Sequence, residues 1–245
     1  MRWLALASAL FLLPARAQET TETRELIGQL GKRSTLLALY ATRRADGSWR
    51  VTGEYLILAT MQRRYLEGER SAQLGVTFFK EGTTPILWSR APTATLQGTW
   101  RDGKLRGTRY GPAGQIREQF EFSEEFPSME DYSAQLGCEL ADGRYESSFA
   151  LALDSGRARP GSLQWRSKVA PSGHACALGA LEQRPFHGGI RLAAGRCAVI
   201  LRDLGDYVKV DAEDCQEYCA SQGYFEPLLL DKSGGRCQPL RGQPR

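Results

Sequence analysis

From about Thr20 onward, the chain's hydrophobic residues fall into short segments rather than long amphipathic repeats. Segments of roughly 5–9 residues rich in Val, Leu, Tyr, Phe, Trp and Thr alternate with turn-forming residues, which predicts strands. The run T-L-Q-G-T-W-R-D-G-K-L-R-G-T-R-Y, Thr95 to Tyr110, reads as two strands around Asp102-Gly103. Asp-Gly suits a two-residue hairpin turn because both central positions take positive φ. Asp46-Gly47 and Asp142-Gly143 carry the same expectation. Gly111-Pro112-Ala113-Gly114 then turns the chain into I-R-E-Q-F-E-F, where Ile116, Phe120 and Phe122 alternate with charged residues as in a half-buried strand.

One segment predicts a helix: Thr21 to Leu30, with Leu26, Ile27 and Leu30 on its inner side. Nothing in the middle of the chain sustains a helical repeat. Successive hairpins predict a mainly β fold, antiparallel barrels or sandwiches, with that choice left open. The likeness of D-G-S-W-R, D-G-K-L-R and D-G-R-Y-E reads as shared hairpin chemistry rather than duplication.

The first residues add a compartment. Met1-Arg2, the apolar run Trp3 to Leu13 and Ala15-Arg16-Ala17 have the order of a secretory signal peptide, cleaved after Ala17. No later apolar run reaches the roughly 20 residues that a membrane helix needs, so no membrane span is expected. Arginine far outnumbers lysine and asparagine is absent, a bias that suits a GC-rich bacterial genome. Without Arg2 and Arg16 the chain keeps 30 basic against 28 acidic residues, a net charge of +2. So small a surplus gives no field for nucleic acid. The expected location is the periplasm or the medium.

All six cysteines, Cys138, Cys176, Cys197, Cys215, Cys219 and Cys237, fall in the second half. The acidic, Pro-interrupted stretch Ser123 to Tyr132 reads as a linker or surface turn. The expected organisation is a signal peptide at 1–17, a cysteine-free β domain at 18–126, a linker at 127–134 and a disulfide-containing β domain at 135–245. Cys215 and Cys219 are four apart, whereas a zinc site usually shows two tight pairs and a redox site Cys-x-x-Cys. In an oxidising compartment an even set predicts disulfides. Sequential pairing is expected: Cys138–Cys176, Cys197–Cys215 and Cys219–Cys237.

Catalytic chemistry is sparse. His174 and His187 are the only imidazoles, no Gly-x-Ser-x-Gly elbow precedes a helix, and no His-Glu-x-x-His appears. F-A-L-A-L-D-S-G, ending at Asp154-Ser155-Gly156, resembles an aspartic-protease loop; its second copy would be L-L-L-D-K-S-G at Asp231. Gly98-Thr99-Trp100 resembles the Gly-x-Trp of lipocalins, and a carrier of that kind implies an apolar cavity near Trp49, Trp88 and Trp100. Arg43, Arg44, Arg50, Arg63 and Arg64 lie beside Trp49 and Tyr65, a combination able to grip carboxylates or phosphates.

The tail Cys197 to Leu230, with D-C-Q-E-Y-C-A-S-Q-G-Y inside it, is similar to the C-terminal segment of uncharacterised secreted proteobacterial proteins, and the first half resembles the same group. Strand, cysteine, short loop, cysteine and Gly-aromatic also resemble, more loosely, small periplasmic β-barrel proteins of the lysozyme-inhibitor kind. Ala220 stands where those relatives often place Gly, and no functional residue carries over. The resulting expectation is a non-enzymatic envelope binding protein without a cofactor, directed at a protein such as a hydrolase or at an envelope polymer. The contacts expected are Arg63, Arg64 and Tyr65 in one half and Tyr218, Tyr224 and Phe225 in the other. The alternatives are the lipocalin-like carrier and, remotely, the aspartic-type hydrolase.

Overall fold

The computed structural model describes residues 20–71, 75–85, 91–170, 172–220 and 223–240. The signal peptide expected at 1–17 and Trp88 lie outside these residues. Eight antiparallel strands form a closed up-and-down barrel: β1 (Thr21–Leu30), β2 (Arg33–Arg43), β3 (Trp49–Ile57), β4 (Gln62–Arg70), β5 (Val76–Gly82), β6 (Ala94–Arg101), β7 (Lys104–Tyr110) and β8 (Ile116–Ser123). Pairing of Gly28 with Phe122 and of Leu30 with Phe120 closes β8 onto β1.

Thr21–Leu30 is therefore a strand, which corrects the helix expected there. Leu26 and Leu30 point into the barrel core, while Ile27 packs against a second apolar cluster outside it. With Leu26 and Leu30 buried on the inner face and Ile27 partly covered on the outer one, the strand loses the alternation that marks a half-exposed strand, and its apolar spacing then imitates a helix.

The barrel is filled. Leu39, Leu66, Phe79, Leu96, Leu105, Phe120 and Phe122 are each 4% exposed or less. Gly98 and Gly107 face each other across β6 and β7, and the Phe120 ring occupies the space they leave. A Cβ on Gly107 would sit 2.5 Å from its Cζ. Asp102 and Gly103 both take positive φ, 53° and 71°, as the hairpin expectation required. At the other two Asp-Gly pairs only the glycine does. There the aspartate accepts backbone hydrogen bonds, Asp46 from Ser48 and Asp142 from Arg144 and Tyr145, within longer turns. Ile116 is 68% exposed, so it does not belong to the buried face of β8.

The remaining strands form two sheets. One has β9 (Ala134–Ala141), β10 (Tyr145–Asp154), β12 (Gln164–Val169) and β13 (Ala175–Leu178), with the two-residue β11 (Arg157–Ala158) also on β10. The other runs in order through β14 (Glu182–Arg184), β15 (Ile190–Ala194), β16 (Cys197–Asp203), β17 (Tyr207–Glu213), β18 (Leu228–Asp231) and β19 (Cys237–Pro239). Their facing sides share one core around Trp165, whose ring meets Phe149 edge-on at 5.6 Å and Phe225 at 4.9 Å. Met129, in the stretch expected as a linker, is 1% exposed within this core.

All six cysteines are disulfide-bonded. Cys197–Cys215 pairs as expected, but the others are Cys138–Cys237 and Cys176–Cys219. Sequential pairing fails because the partners are spatial neighbours, not chain neighbours. The 3₁₀ turn Gln216–Tyr218 delivers Cys219 to the edge of β13, where Ala220 donates to the Ala175 carbonyl at 2.8 Å. Cys237 on β19 meets Cys138 on β9 across the sandwich.

The six-stranded sheet is a middle layer. Cys197, Val199 and Leu201 face the sandwich core, and Leu229 with Leu204 meets Leu36, Leu56 and Leu58 of the barrel wall. Glu25 of β1 lies in the same junction. It accepts from Arg202 at 2.7 Å and from Lys209, whose side chain is 9% exposed. No helix among the described residues is long and apolar enough to cross a membrane. Three disulfides place the folded chain in an oxidising rather than a cytosolic setting.

Candidate functional site

Small side chains open a depression on the outer face of the sheet β9–β10–β12–β13. Register places Glu139, Ser148, Arg166 and Ala177 in one cross-strand row, and Ala141, Glu146, Lys168 and Ala175 in the next. Long charged side chains stand on β9, β10 and β12, while alanines floor the β13 side. The result is a concavity of about 710 Å³, open to solvent, with Tyr218 lining its far edge. The Cys176–Cys219 disulfide fixes the turn that carries Tyr218 against β13. Carboxylates thus occupy one side, a guanidinium and an ammonium the middle, and an aromatic ring the other side.

The other expected contacts lie apart from this face. Tyr224 is 50% exposed and stacks on Tyr145 at 5.5 Å. Phe225 points into the sandwich core against Trp165 and is 8% exposed, which removes it from the set of surface contacts. Arg63 reaches Glu54 at 2.5 Å and lies close enough to Glu226 to lower its pKa, although burial dominates and pushes that carboxyl up. Arg63 and Glu226, expected on separate surfaces, therefore lie near enough to interact electrostatically. Tyr65 pairs in register with Glu54 beside them.

Arg64 points the other way, into the barrel, 3.8 Å from Glu81. Glu81 is fully buried. It accepts from Tyr55 at 2.7 Å, from Arg109 at 2.7 and 2.8 Å, and from Thr93 at 3.1 Å. Burial pushes the Glu81 carboxyl up, but the donors outweigh it and hold the pKa below the ordinary carboxylate value. Burial beside Glu81 drives the Tyr55 phenol up. Arg109 also donates to Glu118 at 3.0 Å, and Glu118 accepts from Arg33 at 2.6 Å. Every carboxylate in this chain of contacts has its donors, so the network acts as a plug for that barrel end.

The opposite end closes differently. Arg24 lies 4.9 Å over the Trp100 ring and Arg70 4.5 Å over Trp49, with Glu22 between the two guanidiniums at 3.4 and 3.7 Å. Beneath this lid is a cavity of about 10 Å³, lined in part by Leu39, Val51, Phe79 and the hydroxyl-bearing Thr77. A space of that size holds at most one water. Gly98 of the Gly-Thr-Trp motif serves Phe120 packing, and Trp100 belongs to the lid.

The two Asp loops stand at the ends of strands in different sheets. Asp154 ends β10, 4.0 Å from Arg159, and Asp231 ends β18, where its carboxylate accepts from Ser233. The Ser233 hydrogen bonds hold the Asp231 carboxyl low. His187 lies in an exposed turn and His174 in the turn before β13. Among the described residues no three His, Cys, Asp or Glu side chains gather as a metal site.

The charged-and-alanine pattern of the open face was not legible before the strand register was known, because its rows join residues up to thirty-eight positions apart (Glu139 and Ala177). Comparison with protein-family models, with curated proteins and with solved structures finds no match for this chain.

Proposed function

We propose that this chain is an exported, non-enzymatic binding protein of the bacterial envelope, periplasmic or secreted, which meets its ligand on an open surface. The observation that carries the reading is a contrast of volumes. The described barrel interior leaves about 10 Å³ beneath its lid, while the open face of β9–β10–β12–β13 offers about 710 Å³ rimmed by charge and an aromatic ring. Ligand sites combine a concave surface with a few convergent polar groups, and rigid disulfide-tied edges hold such groups in place without loss of freedom on binding. The ligand class is a protein, such as a hydrolase to be inhibited, or an envelope polymer. The same contrast weighs against a lipocalin-like carrier, whose ligand needs an interior far larger than one water.

The test is affinity capture from periplasmic extract and from purified cell wall with the mature chain, read by mass spectrometry and by glycan analysis. Capture should fall sharply with Arg166→Ala/Tyr218→Ala and persist with a control change such as Lys80→Ala on the barrel. Capture that ignores the double change moves the site off this face, and no capture at all refutes the binding reading.

A further inference from the structure

We infer that the open face of β9–β10–β12–β13 recognises a linear, hydroxyl- and amide-rich glycan, an amino-sugar chain, rather than a polyanion or a folded protein partner. This rests on the binding reading above and sharpens it to one ligand class.

The argument starts from donor and acceptor chemistry. Glu139 and Glu146 are exposed carboxylates, which can only accept hydrogen bonds; Arg166 and Lys168 are exposed cations, which can only donate. Glu146 and Lys168 are direct cross-strand neighbours, as are Ser148 and Arg166. A polyanion that satisfied the two cations would place its charge one strand, roughly 5 Å, from Glu146 and two strands, roughly 10 Å, from Glu139. A polycation meets the mirror problem. A ligand that uses both sets at once must both donate and accept at each step along its length, which is what sugar hydroxyls and N-acetyl amides do. Tyr218, on the alanine-floored side, supplies an aromatic surface for the C–H face of a sugar ring.

Size points the same way. The depression is lined by thirteen residues, fewer than the roughly 20–30 per side of a standard protein interface. It is open rather than enclosed, so a chain can enter and leave without a terminus. The small floor residues Ala175 and Ala177 leave a channel between the Arg166–Lys168 ridge and Tyr218, running along β13.

The experiment is calorimetric titration of the mature chain with a linear N-acetylglucosamine hexamer and with heparin, together with co-sedimentation on purified peptidoglycan sacculi. Saturable hexamer binding and sedimentation are expected, with Glu146→Gln and Lys168→Met each weakening the hexamer, and Tyr218→Ala weakening it about tenfold. All three variants are compared with the parent by thermal unfolding; Glu146 and Lys168 are exposed, so their changes keep the test valid if Tyr218→Ala unfolds. Heparin binding tighter than the hexamer overturns the inference in favour of a polyanion. Sedimentation without hexamer binding also overturns it, because recognition then lies in the peptide stems. So does hexamer binding that ignores Glu146→Gln and Lys168→Met. If affinity capture returns a protein that needs this face and the hexamer does not bind, the glycan inference falls and the binding reading stands. If nothing is bound in either experiment, both fall.

Discussion

Arg109 holds the Glu81 carboxylate through two hydrogen bonds, of 2.7 and 2.8 Å, inside a barrel end where Glu81 has no exposed surface. Removing one member of such a buried pair strands the other without water, which typically costs about 3–5 kcal/mol. Arg109→Met should therefore lower the denaturant midpoint more than changes at solvent-exposed positions of the barrel wall such as Lys80→Ala. The pH dependence follows from the Glu81 pKa, which lies below its ordinary 4.5. The stability this carboxylate contributes is present above pH 4.5 and disappears as the pH falls through its lower folded value. Urea unfolding at a series of acidic pH values should show a steeper loss for the parent than for Glu81→Gln.

The disulfides differ in the length of chain they close: 99, 43 and 18 positions. In the loop-entropy view Cys138–Cys237 contributes about 5 kcal/mol, Cys176–Cys219 about 4 and Cys197–Cys215 about 3. Paired Cys→Ala replacements should follow that order in denaturant midpoint. Non-reducing peptide mapping should join the segment around Cys138 to that around Cys237. A peptide joining Cys138 to Cys176 would refute the fold of the second half.

The strand character of most of the chain was legible because half-buried strands alternate, as in Thr95 to Tyr110. Illegible positions share one cause: a neighbour distant in the chain. Ile27 is apolar because it packs against the cluster of Leu229 and Leu204 on the barrel wall, and that partly covered second face made Thr21–Leu30 read as helix. Glu81 and Arg109 sit on inward positions where polarity signals the outside, and only register makes them partners. Arg64 was grouped with Arg63 as a surface cluster, yet adjacent strand residues face opposite sides, so one enters the barrel and the other faces the sandwich. Phe225 read as a loop aromatic until Trp165 supplied its core.

Lys209 and Glu25 join the barrel to the sandwich. Burial pulls the Lys209 ammonium down, but Glu25 and Asp211 outweigh it and raise its pKa. Glu25→Gln removes the carboxylate shared by Lys209 and Arg202 and leaves Lys209 only Asp211, at an expected cost of about 3 kcal/mol. Calorimetry is expected to show one unfolding transition for the parent and two for the variant, because the apolar cluster of Leu36, Leu56 and Leu229 is then left as the coupling between the halves without the ion pair. A single, merely shifted transition would mean that apolar contact alone suffices.

Glu226 carries the opposite pH sign from Glu81. Burial raises its pKa despite Arg63, so the folded state binds this proton more readily than the unfolded chain does. Stability attributable to Glu226 grows as the pH falls through its folded value toward 4.5 and is absent at neutral pH. Glu226→Gln should raise the melting temperature at neutral pH and flatten its rise between neutral and mildly acidic pH. An unchanged slope would assign that titration elsewhere.

Thr77 sits 1% exposed under the Arg24–Trp100 lid, and its Oγ1 has no hydrogen-bond partner among the described residues. Valine has nearly the same shape without the hydroxyl. A buried hydroxyl with no partner costs about 1–3 kcal/mol, so Thr77→Val should stabilise the barrel, by about 1 kcal/mol once the added methyl contacts are counted with it. The adjoining cavity of about 10 Å³ sets the competing outcome. A water there that bridges Thr77 to the Glu22–Arg70 pair would turn the change into a loss, since the water would forfeit a partner. Thermal unfolding of Thr77→Val alongside Thr77→Ser separates the two. Serine keeps the hydroxyl, so a bridging water leaves it closer to the parent than valine, whereas an unpaired hydroxyl leaves it below both.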